Sequence, residues 1–471
     1  MKALRIALAC VLCLAMCLSM VACDGGTGAN DDGVTESLSP EMVEKIQGAV
    51  QDLPEIELAN KELKWLCWDA SWNYNTDTAE GKLFSEAYGG YITAETCSYD
   101  DRYTVLASKV SSGESPDMFP FESDNFPCGV ISGMYDPLDD YLDVSGDEWG
   151  FTRDLMEKYV VGGKHYVILP YSQEGDFLVY NRDTIDEYGL DDPWELFMDG
   201  KWDWNAMYDM LVKYCNADED RYGIGGWWPE YAFVATTGTP FVSLEDGHLK
   251  SNLNSTEVAK AMNFLGKLYS EGLHYPWEKF DWAKKINFVT EGKVLFYATG
   301  AYDLKGTFRN EKKSAFCENV FIVPFPKDPD ADKYYQALGT DAHMLVAGAK
   351  NPEGVAAWQN VRRAAHYNED VSAQSQEEAK TNFNYTDELI EALEIVEGKT
   401  AGHEFAGVYD FRRGINAELR TGMDDSEGVI QELERSTYKM GKSWTEVLAE
   451  YSKQIDTYIT EANKAIDDLS K

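Results

Sequence analysis

Residues 168–183 constrain the architecture of this chain more than any other segment. They contain two apolar, β-prone runs, Ile168-Leu169 and residues 177–180, separated by a short polar loop and punctuated by Pro170 and Gly175. We interpret the segment as a strand, a loop, a second strand and the start of a helix. An α/β unit precedes it and a helix-rich half follows it, so it is predicted to cross between two lobes. Clefts between lobes are common sites for small ligands.

Before this crossing, strand patterns alternate with helix patterns. Strands are predicted at residues 63–68, 91–96 and 117–121, and helices at residues 79–87 and 101–110. This alternation favours a mainly parallel sheet with helices packed on its faces.

Three later apolar runs, at residues 293–297, 320–323 and 343–347, are predicted to return to this first sheet. The remainder, from Pro352 onward, is predicted to be nearly all helical. A chain of 471 residues, 44% of them hydrophobic, is long enough for two lobes with real cores.

The formal net charge of −40 restricts the classes of partner. Nucleic-acid binding is excluded as a function class, because a duplex would repel such a chain. The sequence also contains no Gly-x-Ser-x-Gly, His-Glu-x-x-His or phosphate-loop motif. The prediction is a binding protein without a cofactor, not an enzyme.

The N-terminus has the pattern of a secretion signal. Two basic residues precede an apolar run over residues 6–18, which is too short to span a membrane. Residues 20–23, Met-Val-Ala-Cys, resemble the lipobox of bacterial lipoproteins. That resemblance implies cleavage before Cys23 and acylation of its thiol, with ordinary cleavage and a free Cys23 as the alternative. Residues 24–33 are predicted to be a flexible polar tether.

The remaining cysteines and two acidic stretches are not interpreted as metal sites. Besides Cys23, five cysteines follow the signal, an odd number without Cys-x-x-Cys spacing, so neither zinc nor a disulfide is predicted. Residues 218–223 and 328–332 are spaced partly like calcium loops. The second lacks the glycine and glutamate of an EF-hand, and both are interpreted as solvated turns.

Several motifs occur in the order found in one receptor family. They include a Ser-Gly … Pro-Asp strand element, a Pro-Leu-Asp-Asp edge, a Tyr-Asn-Arg-Asp … Gly-Leu … Pro-Trp signature and a Gly-Lys-Trp-Asp-Trp element. These lie at residues 107–118, 134–140, 180–194 and 200–204, and further matches lie at 292–296 and 323–327. In this order they resemble the family 1 extracellular solute-binding proteins, the lipoprotein receptors of ABC sugar importers, of the maltodextrin-binding type. Beyond about residue 368 the chain matches no motif of the family.

The resemblance implies an α/β, two-lobed periplasmic-binding-protein-like fold of type II, with a ligand cleft between discontinuous lobes. The predicted divisions are a signal peptide at 1–22, a tether and short helix at 23–61, lobe 1 at 62–170 plus 293–350, and lobe 2 at 171–292 plus 351–471.

Aromatic rings and polar groups near predicted strand ends and loops are the candidate ligand-binding residues. Saccharides offer apolar CH faces that stack on aromatic rings, and hydroxyls that bind carboxylates, amides and arginine. Position in the chain selects Trp72, Glu122, Tyr171, Asp303, Asp341 and Arg412.

The resemblance adds residues to this set. It implies that Tyr302 stacks on sugar, that Glu174 binds a hydroxyl, and that Trp227 and Trp228 lie in an aromatic loop. Each aromatic ring has packing in the core as its alternative role, since Trp and Tyr are normally well buried. Trp202 and Trp204 are assigned to structure.

These observations predict a monomeric, extracytoplasmic receptor that is anchored to the cell membrane through lipidated Cys23. It binds a carbohydrate, expected to be an oligosaccharide, and delivers it to the permease subunits of an ABC transporter. Another polar solute remains an alternative ligand. The alternative functions are a secreted glycoside hydrolase, which needs two carboxylates about 5 to 9 Å apart across the cleft, and a carbohydrate-sensing or adhesive lipoprotein without a permease.

Overall fold

The computed structural model describes residues 38–68, 74–171, 175–226, 229–276, 287–313, 315–397, 405–416 and 441–469. The predicted signal, Cys23 and the tether predicted at residues 24–33 lie outside these residues. Within the described ranges, no helix is both long and apolar enough to cross a membrane.

Strands and helices are numbered here along the described residues. The strands are β1 (Glu62–Cys67), β2 (Tyr91–Thr96), β3 (Met118–Pro120), β4 (Val160–Val161), β5 (Lys164–His165), β6 (Phe177–Asn181), β7 (Tyr222–Gly226), β8 (Val242–Glu245), β9 (His248–Ser251), β10 (Val294–Thr299), β11 (Val320–Pro324), β12 (Tyr335–Ala337), β13 (His343–Leu345) and β14 (Ala406–Val408). The α-helices are α1 (Pro40–Ala49), α2 (Ala79–Tyr88), α3 (Arg102–Ser112), α4 (Cys128–Ile131), α5 (Arg153–Met156), α6 (Arg182–Glu187), α7 (Pro193–Met198), α8 (Trp204–Tyr214), α9 (Pro229–Ala235), α10 (Thr256–Ser270), α11 (Pro352–Tyr367), α12 (Glu369–Phe383), α13 (Asp387–Val396) and α14 (Trp444–Leu469).

The first sheet has the predicted βαβ organisation. Its strand order is β13-β3-β1-β2, and β1 runs parallel to both β2 and β3. Helix α2 connects β1 to β2, starting at the Thr78 cap and ending at Gly89, whose φ of 63° is readily adopted by a residue without a Cβ. Leu63, Trp65 and Leu66 of β1 are buried and form the centre of this lobe's core.

The second sheet corrects the sequence prediction. Its order is β11-β6-β10-β7, so the strands predicted at 293–297 and 320–323 do not join the first sheet. Both pair antiparallel with β6, where Val179 lies opposite Tyr297 on one side and Ile322 on the other. Only the strand predicted at 343–347 joins the first sheet, as β13 beside β3. The lobe boundaries given above remain a prediction, with these two strands reassigned.

The crossing near residue 170 is only partly a strand. Residues 177–181 form β6 as predicted, whereas Ile168 and Leu169 are buried but adopt no regular structure. Pro170 has no N–H to donate to a strand partner. Gly175 forms an isolated β-bridge with Leu338, the residue that follows β12, and β12 itself pairs with β14. The segments around residues 175, 338 and 407 therefore run side by side near this crossing.

Asp117 fixes the first sheet to the start of α11. Its buried carboxylate accepts hydrogen bonds from the backbone N–H groups of Lys64, Lys350 and Asn351 at 2.9, 3.2 and 3.0 Å. Asn351 in turn caps α11. The aspartate of the Pro-Asp motif is therefore a structural acceptor.

We expect Asp117→Ala to lower the free energy of unfolding by about 3 kcal/mol, because one buried and two partly buried backbone N–H groups lose a charged acceptor. Urea unfolding followed by tryptophan fluorescence measures this change. Asp154→Ala is the control, since Asp154 is exposed and its carboxylate contacts no described residue. Equal losses in both variants would contradict the assignment.

Candidate ligand-binding cleft

A cleft of about 1130 Å³ lies between the two sheets and the helices that join them. Residues 120–122, which follow β3, and residues 300–302, which follow β10, contribute to its walls from opposite lobes. This location agrees with the general rule that ligands bind beyond the carboxyl ends of strands in open α/β folds. The crossing contributes Tyr171 and Asp341, and α12 and α13 close one end.

Arg362 of α11 organises the part of the cleft at the crossing. The guanidinium is buried and contacts the Asp341 carboxylate at 2.7 Å, the Asp341 carbonyl at 2.9 Å and the Tyr171 hydroxyl at 2.7 Å. Tyr171 donates to the same carboxylate at 2.6 Å. The Tyr171 ring stacks on His366 with ring centres 4.4 Å apart. These contacts fix two predicted site residues in one orientation.

The electrostatic surroundings keep Asp341 ionised. Burial alone would raise its pKa, but the Arg362 guanidinium, followed by the other polar contacts, lowers the pKa below its ordinary value. The Asp341 side chain is 44% exposed, so part of the carboxylate faces the cleft. It can accept hydrogen bonds from ligand hydroxyls without further reorganisation.

Glu122 lies in a different electrostatic environment. Burial, followed by the neighbouring Asp124 carboxylate, raises its pKa from 4.5 to about 8, although Arg102 and Arg413 act in the opposite direction. Arg102 binds Asp124 at 2.7 Å. The Glu122 carboxylate lines the cleft and makes no hydrogen bond or ion pair with another described residue.

This environment gives stability a specific pH dependence. The pKa of Glu122 is higher in the folded than in the unfolded protein. Its contribution to the free energy of unfolding is therefore fully present below pH 4.5 and is lost as pH rises through about 8. Between these pH limits, Glu122→Gln should therefore have a free energy of unfolding about 1–3 kcal/mol higher than that of the parent protein. Urea unfolding across this pH range measures the difference. The exposed Glu114→Gln is the control, and identical pH profiles for parent and Glu122→Gln would contradict the prediction.

Tyr302 and Asp303 have different roles. The Tyr302 ring is 57% exposed and lines the cleft. Asp303 is buried and accepts hydrogen bonds from Thr299 at 2.5 Å and Thr307 at 3.2 Å. Asp303 therefore holds the turn that carries Tyr302 and does not itself line the cleft, because its carboxylate faces the two threonine hydroxyls.

Arg412 lies one layer behind the cleft. Its guanidinium is 4.7 Å from the centre of the Tyr231 ring and 3.7 Å from Asp410. Tyr231 donates a hydrogen bond to Asp176, which does line the cleft. Arg412 was predicted from the sequence to bind ligand, but it is not among the residues that line the cleft, and it supports Asp176 through Tyr231 instead.

Of the predicted residues, the structure brings Glu122, Tyr171, Tyr302 and Asp341 together in the cleft. Trp72, Glu174, Trp227 and Trp228 lie outside the described residues. The assignments of Trp202 and Trp204 to structure agree with their burial, at 0% and 3% exposure.

Several cleft residues escaped the sequence analysis. Tyr74 and Glu80 follow β1 closely, so the strand-end rule that selected Trp72 could have found them. Lys305 follows Tyr302 by three residues and could have been found in the same way. The residues of α12 and α13 gave no such signal, because they lie far along the chain in helices without a family motif. They include Ser372, Ser375, Gln376, Glu394 and Glu397.

The acidic stretches do not form a metal centre within the described ranges, where no group of three or more ligating side chains is found. Lys260 lies between Asp328 and Asp330 and donates to both carboxylates. No disulfide joins Cys67, Cys97, Cys128, Cys215 or Cys317 to another described residue.

Known structures share this architecture. A cyclo/maltodextrin-binding protein complexed with maltotetraose superimposes with a TM-score of 0.58 at 17% identity, covering 86% of this chain and 98% of that one. A solute-binding protein of an ABC transporter from Thermotoga lettingae, bound with α-D-tagatose, gives 0.57 at 18% identity, covering 88% and 100%. The galacto-N-biose/lacto-N-biose I-binding protein from Bifidobacterium longum gives 0.59 at 12% identity, covering 86% and 97%. These similarities confirm the two-lobed α/β type II fold.

A family model supports the same assignment from sequence. The model described as bacterial extracellular solute-binding protein matches residues 69–362, which is more than half of the chain. This span includes β2 to β13, and therefore the whole second sheet, three of the four strands of the first sheet and the crossing, together with Arg362. The chain therefore belongs to the bacterial extracellular solute-binding protein family.

Proposed function

We propose that this protein is the receptor of an ABC importer and binds an oligosaccharide in the cleft between its lobes. The observation that carries the proposal is the combination of an exposed Tyr302 ring and the carboxylates of Asp341 and Glu122 in one cleft of about 1130 Å³. A ring for the apolar face and acceptors for hydroxyls match the chemistry of a sugar. The volume is slightly above the usual range of about 300–1,000 Å³ for small-molecule sites, which favours more than one sugar ring.

Closure of the lobes follows from the placement of these groups. Tyr302 belongs to the lobe of the second sheet, whereas Glu122 belongs to that of the first. A saccharide that contacts both is bound more tightly in the closed state, and this difference in affinity drives closure. The segments near residues 175 and 338 provide the hinge.

The same proposal includes the cellular setting. The family description supports an extracytoplasmic location. Acylated Cys23 tethers the protein to the cell membrane as a monomer, and permease subunits receive the saccharide from the closed form.

The test is a thermal-shift screen of the chain from about residue 33 against mono- and oligosaccharides. A bound ligand raises the melting temperature by mass action. We expect at least one oligosaccharide to raise it and to change tryptophan fluorescence. Absence of any shift across neutral, amino and acidic saccharides would overturn the proposal.

A specific observation favours glycoside hydrolysis as the second candidate. The backbone bond from Phe121 to Ala342 extends the β3–β13 pairing, which places Glu122 opposite Asp341. Their pKa values are shifted in opposite directions, as in a catalytic acid and its partner carboxylate. However, the Tyr171 and Arg362 contacts make Asp341 a weak nucleophile or base. Chromatography of the bound oligosaccharide after incubation separates the two, since a receptor releases no product.

A further inference from the structure

The charge of the cleft wall is strongly one-sided. Within the described residues, six carboxylates line it and Lys305 is the one lysine. The carboxylates are Glu80, Glu122, Asp176, Asp341, Glu394 and Glu397. An anionic saccharide, such as one with a uronic acid or a phosphate, would meet a repulsive field.

Most of these carboxylates already have partners. Asp341 binds Arg362 at 2.7 Å, Asp176 accepts from Tyr231, and Glu394 accepts from Gln376 at 2.8 Å. Glu80 and Glu122, in contrast, have no hydrogen bond or ion pair with any described side chain. Their positive partner is therefore missing from the part of the wall that the structure describes.

The arginines nearest Glu122 do not supply that partner. Arg102 is buried, bonded to Asp124 and to the Tyr99 carbonyl at 2.6 Å, and lies 3.6 Å from the centre of the Tyr99 ring. Arg413 lowers the pKa of Glu122 but forms no ion pair with its carboxylate. Because Asp124 adds a second negative charge beside Glu122, the ionised carboxylate is unfavourable in the empty cleft.

A second, independent feature of the wall also points to a ligand. The Trp65 side chain lines the cleft and is 1% exposed, and its Nε1 has no hydrogen-bond partner within the described ranges. Buried indole N–H groups normally have an acceptor, and leaving one unsatisfied costs about 1–3 kcal/mol. A ligand oxygen brought within hydrogen-bond distance of this buried atom would satisfy the donor. The wall thus lacks an oxygen acceptor at Trp65 and a positive charge at Glu122.

We propose that the ligand of this cleft is an amino sugar, whose hydroxyl oxygens bind the wall and whose protonated amino group binds Glu122. The inference rests on the proposed function, because it specifies the saccharide for the same cleft. An ammonium group would complete the charge balance of Glu122, as Arg362 does for Asp341. A hydroxyl could donate one hydrogen bond there, but it would leave Glu122 mainly protonated at neutral pH, whereas an ammonium group would favour the ionised carboxylate. Charge-assisted hydrogen bonds are about twice as strong as neutral ones.

The test compares saccharides that differ in a single substituent. The pairs are glucose and glucosamine, galactose and galactosamine, and the β-1,4-linked disaccharides of glucose and of glucosamine. Isothermal titration calorimetry at neutral pH and low salt measures each affinity. In at least one pair we expect the amino member to bind about tenfold or more tightly than its neutral partner, with a preference that decreases as salt is added.

Glu122→Gln assigns this preference to one carboxylate. We expect it to reduce the ratio of amino to neutral affinity to below about threefold, because the neutral amide cannot compensate an ammonium charge. Glu114→Gln, on the surface of the same lobe, should keep the full ratio. Thermal melting shows that Glu122→Gln is folded, and Glu122→Asp should retain part of the preference.

The possible failures are distinguishable. Equal or tighter binding of the neutral member in every pair that binds, or a preference that survives Glu122→Gln, overturns this inference and leaves the saccharide receptor intact. If no member of any pair binds and the wider screen is also negative, the proposed function itself fails.

Discussion

Tyr302→Ala is expected to weaken saccharide binding at least about 50-fold, with little change in the melting temperature. The Tyr302 ring is 57% exposed in the cleft, so its removal takes little buried surface from the folded protein. In the complex, the ring would cover the apolar face of a sugar and lose its contact with water. Aromatic anchors of this kind contribute about 2–4 kcal/mol to binding when they are truncated.

The chain offers a matched control for this experiment. Tyr91 on β2 is 56% exposed, but it lies outside the cleft. Tyr91→Ala should leave the affinity unchanged, and Tyr302→Phe should keep most of it because the stacking surface remains. Calorimetric titration with the saccharide found in the screen provides the measurement. Equal affinity for the parent protein and Tyr302→Ala would remove this ring from the site.

Arg362→Met is expected to have the largest effect on stability. It leaves the Asp341 carboxylate and the Tyr171 hydroxyl next to an apolar side chain inside the fold. Removing one member of a buried ion pair costs about 3–5 kcal/mol, because the remaining charge loses its partner. We expect the free energy of unfolding to fall by an amount near the lower end of this range, since Asp341 is 44% exposed and water can solvate part of its carboxylate. Urea unfolding measures the loss.

A second variant separates the charge from the packing. Arg362→Met combined with Asp341→Asn should recover about 1 kcal/mol or more, because the unpaired carboxylate is gone. Arg363→Met is the control in the next position of α11, where the guanidinium lies 5.5 Å from the Trp149 ring centre and has no ion pair with a described residue. Arg363→Met should lower the free energy of unfolding by less than Arg362→Met does. Equal losses, with no recovery in the double variant, would mean that Arg362 acts through packing alone.

The sequence predicts where strands form more reliably than which sheet they join. The run Val294–Thr299 is buried at every position, so it shows no alternation that would identify the face it presents. Its partners are fixed by register with β6 and β7, and those pairings depend on contacts far along the chain. The strand predicted at Ile168 and Leu169 is absent for a related reason. These two residues are apolar because they are buried, and burial alone does not show that a segment pairs with a strand.

The candidate site divides in a similar way. Glu122 and Tyr302 follow strands directly, so a rule based on strand ends and the family resemblance was sufficient to predict them. Arg362 was missed because it lies on α11 among other polar residues, and only the packing of that helix beneath the crossing brings it to Asp341. Asp303 was selected for its neighbourhood, but the local turn directs its carboxylate to Thr299 instead.

The strand order of the two sheets also has a consequence for biosynthesis. In the first sheet, β3 near residue 119 pairs with β13 near residue 344, which is synthesised much later. In the second sheet, β6 lies between β10 and β11, and both are synthesised more than a hundred residues after β6. Such long loops must close before either core is complete, which makes folding slow. A nascent chain shorter than about 320 residues therefore exposes unpaired strand edges in both halves, and the first sheet stays incomplete until β13 is made. Delayed completion of this kind would help to keep the polypeptide unfolded during the export that its proposed extracytoplasmic function requires.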